Sequence, residues 1–90
     1  MSVFKRIPNN LNYAITPFGE LIHINKYEST KHYTNRRTDG HYSCFIDGIY
    51  YRVDELVAQT WIENPNRYTH VKHIDGDLSN NDVTNLEWVK

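Results

Sequence analysis

Cysteine is almost absent: Cys44 stands alone in a chain of 90 residues. A lone cysteine excludes an internal disulfide and any cysteine-rich zinc site. It lies in the apolar run Cys44-Phe45-Ile46, which predicts a plain buried thiol. Proline and glycine are sparse as well, three and four residues, so no Pro/Gly-rich linker divides the chain. No apolar run is long enough to span a bilayer, and no signal-peptide pattern opens the sequence. Those two absences predict a cytoplasmic protein with no membrane partner. A charge excess is also missing: ten Lys and Arg face eleven Asp and Glu, for a net charge of −1. A free-standing nucleic-acid binder ordinarily carries a basic excess, so the overall charge argues against that class.

Aromatic residues are plentiful by contrast, with seven Tyr, three Phe and two Trp. They supply much buried area per residue, which a domain this small needs. The length predicts one domain over 1–90. Its first part, 1–52, reads as β-rich. Residues 1–10 read as a loosely held arm ending in the turn-prone Pro8-Asn9-Asn10. Residues 13–16 form a short strand, Pro17-Phe18-Gly19 a turn, and 20–24 the returning strand. There Leu21 and His23 alternate imperfectly with Ile22 and Ile24, so the buried face is not legible. The polar stretch 25–38 reads as a hairpin arm or a loop. Residues 41–46, Asp47-Gly48 and 49–52 carry the strongest hairpin signal, an Asp-Gly pair suited to a type I′ turn. Of Tyr50 and Tyr51, one must face the core and the other solvent.

The period then changes. Val53, Leu56, Val57, Thr60 and Trp61 fall on one helical face, which predicts a helix over about 53–63. Asp54 and Glu55 sit in its first turn, beside the positive end of the helix dipole. Asn64-Pro65-Asn66 stops it. A strand over about 69–72 and another over 86–89 flank an Asp- and Asn-rich loop. The expected fold is α+β: antiparallel hairpins, one main helix, then a C-terminal strand pair. The expected core holds Leu56, Val57, Phe45, Ile46, Val71 and Leu86, with Trp61 and Trp88 as anchors.

The C-terminal string is the specific one. It reads His73-Ile74-Asp75-Gly76-Asp77, then Asn80-Asn81, then Asn85-Leu86-Glu87-Trp88. Order and spacing resemble the first two parts of the HNH motif, the ββα-metal or His-Me finger site of phage and homing endonucleases. The resemblance covers nearly the whole chain. Tyr13-Ala14-Ile15-Thr16-Pro17-Phe18-Gly19 and Asp39-Gly40-His41-Tyr42 are similar to the β-rich module that precedes the motif in that family. Asp54-Glu55-Leu56-Val57-Ala58 matches the apolar half of the family's helix start, and Asp54-Glu55 replaces its His-Arg. Lys72 stands where the family has Asp or Asn. The sequence ends at Lys90, before the helix that carries the family's third motif residue, so the motif reads as truncated.

His73 would be the general base that deprotonates water beside a phosphodiester. Asn85 would tie down the intervening loop. Both are catalytic candidates by resemblance, vestigial if cleavage is lost. An ammonium has no lone pair, so Lys72 cannot replace the carboxylate ligand before the His. The expectation is therefore no metal ligand set and no cofactor, with Mg or Mn only if the nuclease chemistry survives. Lys72 would instead contact phosphate, with its ammonium near the His73 ring. Arg36, Arg37, Lys31, Lys5 and Arg6 are the further phosphate-contact candidates. His70 and His73 fall three apart on a strand, hence on opposite faces, so they do not make a joint site. His23, His32 and His41 read as surface or edge residues.

Three functions fit these residues. The first is an HNH-derived nucleic-acid-binding protein, phage-encoded, with weak or absent cleavage and DNA as its partner. The second is an interaction or inhibitor protein on a repurposed nuclease scaffold, binding a host protein or a nucleotide-like ligand. The third is a metal-dependent DNA endonuclease or nickase completed by another subunit.

Overall fold

The computed structural model describes residues 3–8 and 10–90. Among the described residues its elements follow the α+β reading: nine short strands, one α-helix and a single 3-10 turn. Strands β1 (Lys5–Ile7), β2 (Asn10–Ile15), β3 (Leu21–Ile24) and β4 (Ser29–Lys31) form an antiparallel sheet in chain order. A second sheet joins β5 (Asn35–Arg36), β6 (Tyr42–Ile46) and β7 (Ile49–Arg52). The third pairs β8 (His70–His73) with β9 (Leu86–Val89). Helix α1 (Val53–Trp61) packs against strands of all three sheets, which makes it the hub of the core.

The hairpin between β6 and β7 forms where the Asp-Gly pair demands it. Asp47 and Gly48 both take positive φ, 49° and 85°, as a type I′ turn requires. Tyr50 is exposed while Tyr51 packs against the core, the split that a two-residue period imposes. The helix buries Val53, Leu56, Val57 and Ala58 on Ile15, Leu21, Cys44, Ile46 and Leu86. Its last helical residue is Trp61, because Ile62 is extended (φ −118°, ψ 124°) and closes the helix with its N–H on the Ala58 carbonyl. Beyond it, the Asn64 amide donates to the Tyr68 carbonyl and accepts from the Tyr68 N–H. That clamp turns the chain toward β8.

Four expectations change. The segment before Pro8 is not a loose arm: β1 pairs with β2, and Ile7 is 2% exposed, because an apolar residue there completes the floor under α1. Asn9 and the first two residues lie outside the described residues. The stretch 25–38 contains two short strands on two different sheets, not one arm. Phe45 is 50% exposed, because strand alternation sends Cys44 and Ile46 inward and Phe45 to the other face. There it meets Tyr50, ring centroids 4.6 Å apart. Finally, Trp61, Trp88 and Val71 are half-buried rather than enclosed. Each indole N–H is still used, Trp61 donating to the Ile15 carbonyl at 2.9 Å and Trp88 to that of Ile62 at 3.3 Å. A ring that must leave its N–H in reach of a backbone carbonyl near the edge is held at the rim of the core.

The turn at residues 17–19 docks on the C-terminal loop. Val83 N–H donates to the Pro17 carbonyl at 2.7 Å. Gly19 lies so close to Asn81 that a Cβ would stand 3.1 Å from the Asn81 Cβ, and its φ is +89°. A glycine is required there on both counts. This contact presses the N-terminal sheet against the loop that carries the motif.

Candidate functional site

The loop between β8 and β9 is organised by one carboxamide. Asn85 is buried at the end of the 3-10 turn Val83–Asn85. Its Oδ1 accepts from Asp75 N–H at 3.0 Å, and its Nδ2 donates to Asp75 Oδ1 and to the Asn80 carbonyl, both at 2.9 Å. An amide that donates and accepts at once is the side chain suited to closing such a loop. Asp75 takes a further bond from the Asn80 amide, and its carboxyl is held below the usual range, first by Asn80, then by the Asp77 N–H and by Asn85. Asp77 is lowered likewise by the hydroxyl and the N–H of Ser79. Asp82 caps the 3-10 turn, accepting from Thr84 N–H at 2.9 Å. All of these acids are spent on loop geometry.

His73 ends β8 with its side chain only 2% exposed. Its Nε2 lies 2.9 Å from Asn81 Oδ1, a pure acceptor, so the ring proton sits on Nε2. The same nitrogen is 3.7 Å from Asp54 Oδ2. Asp54, read from sequence as a first-turn residue beside the helix dipole, is 1% exposed. Its Oδ1 accepts from Glu55 N–H at 2.7 Å and from Arg52 Nε at 3.0 Å, and Oδ2 accepts from the Arg52 NH2 group. The carboxylate in turn holds the Arg52 guanidinium even more firmly protonated than usual. His41 closes the group: Nδ1 is 3.4 Å from Asp54 Oδ2 without hydrogen-bond geometry, and the two imidazole centroids are 5.9 Å apart.

Three residues of this cluster escape sequence reasoning. His41 reads as a surface or edge histidine, Asp54 as a first-turn acid beside the helix dipole, and Asn81 only as part of a loop. The one available signal is Asp54 itself, standing where the resembled helix start has His. That it is buried and paired with Arg52 is visible only in the structure.

The basic candidates are not brought into one patch. Lys5 lies on β1 and Lys31 on β4, the two opposite edges of the four-stranded sheet. The Lys5 ammonium stacks over the Trp61 ring at 4.6 Å. Arg6 donates to the Leu11 carbonyl at 2.5 Å, and Arg37 pairs with Asp39 at 3.0 Å. Lys31, Arg36 and Lys72 are exposed and make no ion pair among the described residues. Lys72 and His73 leave β8 on opposite faces, one exposed and one buried, so the expected approach of the ammonium to the ring does not occur. Arg37 and Arg52 meet instead at an open cleft of about 510 Å³, shared with Ser43, Tyr50, Tyr51 and Glu55.

The divalent-ion site implied by the resemblance does not fit these residues. Magnesium and manganese take hard oxygen ligands. The residue before His73 is an outward lysine, and the titratable groups around the ring are one carboxylate, Asp54, and the imidazole of His41, a nitrogen-rich set rather than the oxygen set such an ion takes.

Comparison with known proteins supplies the lineage. The chain is 40% identical, over 91% of its length, to a protein of Acanthamoeba polyphaga mimivirus named uncharacterized HNH endonuclease L245. It is 31% identical, over 97% of its length, to uncharacterized HNH endonuclease L247 of the same virus. It spans 26% and 23% of those relatives, about a quarter of their length. A solved structure described as DNA binding and cleavage by the HNH homing endonuclease I-HmuI superposes with a TM-score of 0.79 at 28% identity. That match covers 97% of this chain and 52% of the other. No family model matches.

Proposed function

Because the chain belongs to the HNH-type endonuclease family, we propose that it is a DNA-binding unit derived from a nuclease, with weak or absent cleavage of its own. The observation that carries this reading is the state of His73. A general base must reach the water it deprotonates. Here the ring is 2% exposed, and the residue before it, where the resembled family holds its cation, is an outward Lys72. The geometry supports the imidazole as a packing and hydrogen-bonding element beneath the loop, not as a base at a phosphate.

Binding requires only cations on the surface, and the segment from Lys31 to Arg37 offers three of them. Lys31, Arg36 and Arg37 flank Tyr33, which is 86% exposed. These side chains would contact backbone phosphates, and Lys72, Lys5 and Arg6 would add charge from other faces. The viral relatives fit a phage or virus origin for this chain as well.

A paired assay on one preparation tests the proposal. Duplex DNA retardation is measured with chelator, and plasmid nicking with magnesium or manganese. Retardation without nicking is expected. Metal-dependent nicking abolished by His73→Ala would overturn the claim of lost cleavage, and absence of retardation at low salt would overturn DNA as the partner.

A further inference from the structure

The buried cluster of His41, Asp54 and His73 has a donor set that none of the preceding chemistry uses. His41 Nδ1, Asp54 Oδ2 and His73 Nε2 all lie within 4.8 Å of one another. Two of the separations are 3.4 Å and 3.7 Å. Four-coordinate zinc with bonds of roughly 2.0–2.1 Å to nitrogen and oxygen places its ligands about 3.3 Å apart. Closing the site around an ion thus asks for small side-chain shifts. The second observation is an orphan: His41 Nδ1 is a buried nitrogen with no hydrogen-bond partner among the described residues, and it faces this cluster. Buried polar atoms are almost always satisfied, so an unpaired one implies a missing partner.

We propose that His41, Asp54 and His73 form a structural site for a borderline transition metal, zinc above all. It does not depend on DNA binding, and it takes His73 as a ligand rather than as a base. Two imidazoles and one carboxylate suit zinc, whereas magnesium prefers oxygen alone. Both imidazoles bind as neutral ligands. His41 offers Nδ1 with its proton on Nε2. In His73 the proton moves from Nε2 to Nδ1, so that Nε2 coordinates. Asn81 Oδ1, now 2.9 Å from that nitrogen, is released from its hydrogen bond and stands ready as a fourth oxygen ligand. Arg52 opposes the ion by its charge. It also holds the Asp54 carboxylate in one orientation, as outer partners of ligating carboxylates do. The neighbouring Glu55 carboxylate, 3.7 Å from the guanidinium, offsets part of that charge.

The ligands come from three elements: the residue before β6, the first turn of α1 and the end of β8. An ion there would fasten the β-rich part of the chain to the motif hairpin through the helix. Binding to the folded form alone would raise stability by mass action.

The experiment uses the whole chain, freed of metal by chelator and titrated with cobalt(II). One equivalent should bind, with the intense visible absorption of a four-coordinate site, and zinc should displace it. Zinc should raise the melting midpoint, and magnesium should not. His41→Gln is the informative variant, because His41 sits at the rim and the change leaves the hydrophobic core untouched. It should weaken cobalt binding by more than the roughly 10–100-fold that loss of an outer partner costs, while far-ultraviolet dichroism shows a native fold. His70→Ala, outside the cluster, should bind as the unmodified chain does. The proposal fails if cobalt keeps its weak six-coordinate spectrum, if His41→Gln binds equally well, or if magnesium stabilises as much as zinc.

Discussion

Asn85 makes three hydrogen bonds that no smaller side chain can replace, two to Asp75 and one to the Asn80 carbonyl. Removing its carboxamide leaves the Asp75 N–H and the Asn80 carbonyl unsatisfied in a partly closed loop. Asn85→Ala should therefore lower stability by about 1–3 kcal/mol, read from urea unfolding. An unchanged midpoint would show that water replaces the amide. The neighbouring acids add a pH dependence. Asp75 and Asp77 have carboxyls held below their ordinary value, so they release protons more readily folded than unfolded. Their contribution is complete above about pH 4 and is lost as the pH falls further. Asp75→Asn should flatten the acid limb of a plot of melting midpoint against pH; a limb of undiminished slope would place the effect elsewhere. At this scale the sequence was partly readable. The bridging role of Asn85 follows from its residue type and its place in the loop. The partners of His73 do not, because Asp54 and His41 lie far from it along the chain.

Helix α1 is the element on which the three sheets meet, and Leu56 and Val57 form its buried seam. Leu56→Ala should cost about 2–5 kcal/mol, the range for emptying a packed core position. Trp61→Ala should cost less than the roughly 3–5 kcal/mol of an enclosed aromatic, since the ring is half-exposed and anchored by one bond to Ile15. Comparison of the two denaturation midpoints checks this ordering, and the reverse order would refute it. The segment from Lys31 to Arg37 carries the main proposed DNA contacts. Neutralising Lys31, Arg36 and Arg37 together should reduce the slope of log affinity against log salt by roughly 0.9 per lost phosphate contact. A slope that stays the same would move the interface to another face. Element types were legible wherever the hydrophobic period was clean, as in α1 and the β6–β7 hairpin. They were not legible in 25–38, where short edge strands are fixed by pairing rather than by composition.

The whole molecule encloses Cys44 at 1% exposure, and burial pushes its thiol up to about 11. A reagent that needs the thiolate should therefore reach Cys44 only when the core opens. Its labelling rate should track denaturant-induced unfolding, and fast labelling of the native protein would show that the β6–β7 sheet opens separately. The sequence by itself determined the fold class, the hairpin turn, the helix and the HNH-type lineage. Each is written in short-range periodicity or in a motif of fixed spacing. Tertiary structure alone decided three other matters. It turned Phe45 outward and Ile7 inward, because burial depends on which face a neighbour covers. It separated Lys5 from Lys31 by the width of a sheet, so that scattered positive charges do not sum to a patch. It joined His41, Asp54 and His73, since ligand geometry is a property of distances between elements that sequence spacing does not encode.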